Sequence, residues 1–432
     1  MTETSNRNTP VWYTRNGIGE IAFASEYLKE HPMRCTNGKL YTVDGIIDNE
    51  EELRADIFRL LEPYISRNAS KLVTRILDTI RLKALCPAPP IDWSGNTIHV
   101  ANGTYHLENG FSEEKEYCIN RLPVNFNPEA PLPERWLSFL VELLEPEDID
   151  TLQEFMGYCL VPVTRAQKML LIIGQGGEGK SRIGLVLRAL LGDSMNIGNL
   201  RKLETNQFAR ADLEYRLAMV DDDMQMDALP STNITKTLVT AEEKMDVERK
   251  GVQSYQSRLY CRLIGFGNTS LSSLHDRSNG FFRRQILLRA KPRPYGRHDD
   301  ADLIDDLIKE KEGIFLWCLS GLRRLRKNGC HFTVSESAKK NLQESMKESN
   351  NILEFMRSEG YIEYNTEWCA TSRQLCRAYE KWCDDNAMAP LADRTFISFL
   401  RENGHRYPIR YTNNIRFGNA TVRGFHGLRV CM

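Results

Sequence analysis

Gly174-Gln-Gly-Gly-Glu-Gly179-Lys180-Ser181 is the stretch whose reading decides the fold. It fits G-x-x-x-x-G-K-[ST], a loop whose glycines let backbone N–H groups turn inward around phosphate oxygens. Lys180 is placed to neutralise the β- and γ-phosphates of ATP, and the Ser181 hydroxyl to hold Mg²⁺. The context is that of a phosphate loop. A buried strand, Met169-Leu-Leu-Ile-Ile173, runs into it, and a helix over 182–191 leaves it with its positive dipole end toward the anion. Gly174, Gln175, Gly176, Gly177, Glu178, Gly179, Lys180 and Ser181 are therefore the expected nucleotide contacts.

Working outward, Arg216-Leu-Ala-Met-Val220 ends in Asp221-Asp222-Asp223. An apolar strand that delivers carboxylates at its end is the Walker B pattern, in which one carboxylate orients Mg²⁺ and its neighbour polarises the attacking water. Asp221 is assigned to the metal and Asp222 to the water. Asp223 is the spare, and the register is open by one position. A third apolar strand over 259–265 ends near Asn268, a candidate sensor of the γ-phosphate. Gly280-Phe-Phe-Arg283-Arg284 then places two guanidinium groups before a strand over 285–288. Strands over 168–173, 216–220 and 258–265 alternate with helices such as 134–144 and 148–159. That alternation predicts an α/β core with a mostly parallel sheet.

The flanks read differently. Residues 1–134 begin with a polar tail and carry helices over 50–61 and 69–85, a break at Cys86-Pro-Ala-Pro-Pro90, and short strands over 97–100 and 104–107. Residues 135–330 hold the ATPase core, with a long helical stretch over 303–328. Residues 331–432 carry a charged helix over 335–348, helices over 372–386 and 393–403, and strand-like pieces at 406–411 and 421–428. Helix, helix and β-ribbon in that order predict a winged-helix-like domain. Residues 371–432 hold ten Lys/Arg against five Asp/Glu, compatible with phosphate contact there.

Composition bounds the rest. The 432 residues are 41% apolar and 27% charged with a net charge of −1, which excludes a polycation and suits two to four globular domains. The apolar run at 169–173 is far short of the roughly 20 residues of a membrane span, and 1–10 carries no signal-peptide pattern. The 11 cysteines form no Cys-x-x-Cys pair, and Cys369, Cys376 and Cys383 at seven-residue spacing read as packing residues on a helical stripe. A reducing, cytoplasmic setting follows as the expectation.

The ordered set resembles superfamily 3 helicases, specifically the primase-helicases of phages, plasmids and poxviruses. Val100-Ala-Asn-Gly103 looks like that family's "NG" strand element, and Leu122-Pro-Val-Asn-Phe-Asn-Pro128 resembles its connector. Glu154-Phe-Met-Gly-Tyr158 looks like the helix before the loop, with Gln167-Lys168 entering the strand. Val239-Thr-Ala-Glu-Glu-Lys-Met-Asp-Val-Glu-Arg249-Lys250-Gly251 looks like its channel hairpin. Resemblance covers about 97–290, and more loosely 350–428. It implies an AAA+-like core and a homo-oligomeric ring, a hexamer, that hydrolyses ATP at subunit interfaces and unwinds DNA during replication of a mobile element. Lys250 would follow single-stranded DNA with Arg249 beside it. Asn268 would be the sensor and Arg284 the arginine finger, Arg283 being the alternative. Arg394, Arg401 and Arg410 are the candidates for duplex or origin DNA. No paired-carboxylate primase signature stands in the first 145 residues, so the N-terminal region reads as a collar. Two other readings remain: a different P-loop ATPase, such as a signalling or packaging motor, and an initiator in which ATP only switches assembly.

Overall fold

All five residues of Met169–Ile173 are buried, because this strand lies inside a sheet covered on both faces. The computed structural model describes residues 10–431 except 16, 225–228, 230, 242, 269–278, 295, 297–299, 349–350, 387, 389, 405–406 and 418–419. The expected tail over 1–9, Glu242 of the hairpin segment and Arg406 of an expected strand lie outside the described residues.

Met169–Ile173 pairs in parallel with Arg262–Gly267 on one side and Gln285–Arg289 on the other. Ala218–Met224 lies against Arg262–Gly267, and Met195–Ile197 closes that edge. Counted in chain order, these five parallel strands run 2-3-4-1-5 across the sheet. The α/β expectation holds, with a parallel sheet, several helices and no closed barrel among the described residues.

Side chains alternate between the faces with period two. Leu170, Ile172, Val220, Ile264 and Phe266 face one core, which holds Ile183, Val186, Leu187 and Leu190 of the helix Ser181–Leu191. That helix lies close to the sheet. A Cβ added at Gly184 would come within 3.0 Å of Phe266. Met169, Leu171, Ile173, Met219 and Met224 face a second core with Leu200, Leu213, Leu238 and Val247. Each such side chain contributes roughly 1.5–3 kcal/mol by leaving water.

The first core reaches beyond the expected ATPase limits. Ile98, Val100, Tyr105 and Leu122, from a small sheet over 97–122, share it with Val124, Trp136, Phe139 and Phe315, and Ala338 joins from the far side. Residue 134 is therefore no break in packing. Trp12 to Ala84 instead form a separate cluster around the helices Glu20–Glu30, Glu51–Leu61 and Ala69–Lys83.

The helix expected over 148–159 begins at Pro146, where a missing N–H costs nothing, and runs to Tyr158. It crosses Lys311–Lys327 at a pair of glycines. A Cβ at Gly157 would fall 2.6 Å from Leu322 N, and one at Gly321 would fall 2.6 Å from the Gln153 carbonyl carbon. Fully buried Glu154 locks the crossing, accepting from Arg324 Nε (2.6 Å), Thr333 N (2.7 Å) and Thr333 Oγ1 (2.7 Å). The stretch read as one helix over 303–328 is two, Leu303–Lys309 and Lys311–Lys327. Glu310 stands at the break. Its carboxylate accepts from Arg135 N (3.1 Å) and Trp136 N (2.9 Å), capping the helix Glu134–Leu143.

Residues 351–430 have their own core around Phe355, Tyr379, Trp382, Phe396 and Phe425. Asn351–Phe355, Ile362–Thr371, Ser372–Asp385, Asp393–Asn403, Arg410–Phe417 and Ala420–Val430 follow in order, the last strand central in a three-stranded antiparallel sheet. The strand Ile362–Thr371 was not expected, since five consecutive residues, 363–367, are exposed and break any alternation. Cys376 and Cys383 pack in this core while Cys369 is exposed. No group of three or more His, Cys, Asp or Glu able to hold a metal occurs among the described residues. No helix there is long and apolar enough to cross a membrane.

Candidate functional site

The strand Met169–Ile173 ends at Gly174, and the helix starts at Ser181. Between them the chain turns through three left-handed glycines, Gly176 (φ 109°), Gly177 (φ 78°) and Gly179 (φ 107°), a region closed to most side chains. Gln175, Gly176 and Gly177 form an exposed rim, while Glu178 and Lys180 are buried, with 2% and 8% of their surface accessible. Lys180 Nζ donates to Glu178 Oε2 at 2.7 Å. Glu178 Oε1 accepts from the backbone N–H of Gly176 at 2.8 Å and from that of Gln175. The missing side chain of Gly174 leaves room for this carboxylate, since a Cβ there would meet Glu178 Oε1 at 2.7 Å unless Glu178 moved. Burial pushes the Glu178 carboxyl upward, but the Lys180 hydrogen bond, the loop amides and the Lys180 charge outweigh it and hold it below the usual range.

The three expected carboxylates part company. Asp221 pairs with Gly265, on the face that meets Leu200 and Met224 rather than the loop helix. Its Oδ2 accepts from Leu200 N at 2.8 Å, at the start of the helix Leu200–Thr205, and the carboxylate also takes a backbone hydrogen bond from Asp223. Burial, the first cause, keeps its pKa raised. Asp221 therefore holds a helix end, and its expected place beside Ser181 is not what the strand's alternation gives it. The register then shifts: Asp221 opposes Gly265 but Met224 opposes Gly267, so exposed Asp222 and Asp223 share the single partner Phe266. Phe266 faces the loop helix through Gly184. Such a bulge re-aims side chains beside a site.

Asn268 follows the strand Arg262–Gly267, which separates the loop strand from the carboxylate strand. A Cβ placed at Gly176 would lie 3.9 Å from Asn268 Oδ1, so the amide stands against the loop rim. Sequence reasoning missed Arg293. Its Nη1 lies 3.4 Å from where a Gly177 Cβ would be, brought there by the chain leaving Gln285–Arg289 at the same end of the sheet. The signal was present, an arginine between two prolines just past a strand's carboxyl end.

Arg283 and Arg284 occupy the opposite end. Met169 N bonds the Arg284 carbonyl, at the amino end of the strands, whereas Ile173 pairs with Arg289 beside the loop. Five strand residues at about 3.3 Å each put roughly 17 Å between the arginine pair and its own loop. Arg284 is half-buried and its Nη1 donates to the Gly280 carbonyl, while Arg283 is exposed.

Met245–Arg249 and Val252–Ser257 form an antiparallel hairpin with Lys250 and Gly251 (φ 77°) at its turn. Lys250 is exposed. Arg249 is not a free cation: its Nη2 donates to buried Glu214 Oε2 at 2.6 Å, which also accepts from Tyr255 OH at 2.6 Å. In the C-terminal unit Arg394, Arg401 and Arg410 are exposed, and the Arg401 guanidinium lies 4.5 Å from the Tyr411 ring centroid.

Residues 172–284, about a quarter of the chain, match a family described as DUF5906, a family of unknown function. No curated protein matches. Among solved structures, the chain is similar to the apo C-terminal region of NrS-1 (305–718), at 14% identity and a TM-score of 0.55, covering 94% of this chain and 99% of that one. An A-form apo structure of the same region gives 14% identity and a TM-score of 0.53, over 94% and 98% of the two chains. At such identities the likeness is one of fold.

Proposed function

We propose that this chain is an ATP-dependent DNA helicase of the superfamily 3 type, working as a ring, with an AAA+-like P-loop core over about 135–330. One observation carries the reading: a Gly-rich loop with Lys180 and Ser181, a carboxylate pair and Asn268 converge at the carboxyl ends of neighbouring parallel strands, where open α/β sheets bind ligands. ATP phosphates rest on the loop amides and Lys180. Ser181 and Asp222 hold Mg²⁺, Asp223 polarises water, Asn268 senses the terminal phosphate, and Arg293 lies over the loop from the same subunit. The arginine pair, roughly 17 Å away, serves a neighbour's site instead, and exposed Arg283 is the better placed of the two. Lys250 at the hairpin turn contacts the backbone of single-stranded DNA. The order helix, strand, helix, helix, ribbon over 351–430 supports a winged helix, with Arg394 and Arg401 on its third helix and Arg410 on the ribbon as duplex contacts. The unit over 12–84 is the collar. The likeness to the NrS-1 region supports the shared fold over nearly the whole chain.

Strand displacement on forked DNA tests the proposal. The natural chain unwinds, Lys180→Ala neither hydrolyses ATP nor unwinds, and Lys250→Ala hydrolyses ATP without unwinding. Duplex binding without DNA-stimulated hydrolysis would favour the ATP-switched initiator instead.

A further inference from the structure

The Glu178 side chain turns back into the Gly174–Ser181 loop instead of pointing to solvent. Its carboxylate is buried, ion-paired to Lys180 at 2.7 Å, and accepts the N–H groups of Gln175 and Gly176. A buried ammonium without a counter-ion is costly, so Lys180 needs an anion beside it. Glu178 is that anion, and the absent Cβ at Gly174 leaves the room it fills. The same ammonium is the group that a nucleotide's phosphates require.

We propose that Glu178 is an internal competitor for Lys180, a positioning residue that holds the lysine in the loop and weakens the hold on a nucleoside diphosphate. Phosphate entry draws Lys180 away from Glu178 and leaves two like charges close together in a site poorly screened by water. ADP is therefore bound less tightly than the loop and lysine alone would allow, and its release is eased. This rests on the nucleotide-binding reading above.

Glu178→Gln removes the charge and keeps an oxygen for the Gln175 and Gly176 N–H groups. Calorimetry with Mg·ADP on the full chain is expected to give at least about tenfold tighter binding than the natural chain, or about 1.4 kcal/mol. Thermal unfolding supplies the second readout. Without nucleotide the variant melts lower, because Lys180 has lost its partner, and ADP raises its midpoint by more than it raises the natural chain's. Equal or weaker ADP binding by Glu178→Gln overturns the proposal and makes Glu178 a strut of the loop. Failure of the natural chain to bind ADP at all, with Lys180→Ala no different, overturns the nucleotide reading itself.

Discussion

Replacing Arg249 by methionine separates a strut from a DNA contact. Arg249 Nη2 meets Glu214 Oε2 at 2.6 Å, and its Nε meets Tyr255 OH at 3.2 Å. Glu214 accepts in addition from Ser257 Oγ at 3.0 Å and is buried, so one carboxylate ties both hairpin strands to the segment that leads into the carboxylate strand. Burial and the Glu214 hydrogen bond together push the Tyr255 phenol up to about 12. A charge-assisted bond of this kind contributes roughly 1.5–3 kcal/mol, and with a third of the Arg249 side chain exposed the share falls to about 1–2 kcal/mol. Glu214→Ala leaves three donors unanswered and costs about 3 kcal/mol. Lys250→Ala, at an exposed turn, stays within about 0.5 kcal/mol of the natural chain. Urea unfolding measures these values. Binding to single-stranded DNA across a salt series measures the other half: Lys250→Ala lowers the salt slope by about one phosphate contact per subunit engaged, and Arg249→Met leaves it unchanged. If Arg249→Met unfolds like the natural chain and loses salt slope as Lys250→Ala does, the strut assignment is wrong.

Arg283→Ala subunits and Lys180→Ala subunits are each expected to hydrolyse ATP poorly, and mixing them restores turnover at junctions that join an intact loop to an intact arginine. Absence of recovery in the mixture would place the arginine's action within its own subunit. Gly321→Ala pushes a methyl into the Gln153 backbone and is expected to cost about 1–3 kcal/mol, read as a lower melting temperature, whereas Gly110→Ala meets no atom within 4 Å and costs only its left-handed strain (φ 86°). Burial first, then the charges of Arg121 and His106, lowers the His99 pKa to about 4. The unfolded chain binds that proton near pH 6.5, so stability falls as pH drops from about 6.5 to 4, by up to about 3 kcal/mol, and levels off below. His99→Asn should flatten that slope in denaturant unfolding followed across pH.

Much of the parallel α/β core was legible because local chemistry dictates it. Five apolar residues ending at a glycine loop are too short for a buried helix and read as a strand running into a turn, and the helix after Lys180 follows from Ile183, Val186, Leu187 and Leu190 recurring on one face. Helix ends were legible to within a few residues where a capping box or proline marks them, as at Thr371 and Pro146. The break at Glu310 was not, since its cause is a helix some 175 residues away in the chain.

By itself, then, the sequence determined the loop, the strand–helix alternation and the group of residue types that can hold a nucleotide, because backbone conformation and side-chain chemistry are local. Tertiary structure alone decided which of those residues meet. Strand alternation opposite Gly265 put Asp221 on one face, and the bulge that follows left Asp222 and Asp223 together opposite Phe266. The 2-3-4-1-5 strand order set Asn268 beside the loop, and the parallel register of Gln285–Arg289 against Met169–Ile173 set the arginine pair at the far end. Glu214 fixed Arg249 and left Lys250 exposed at the turn. Facing, register and pairing depend on partners distant in the chain, and no local pattern carries them.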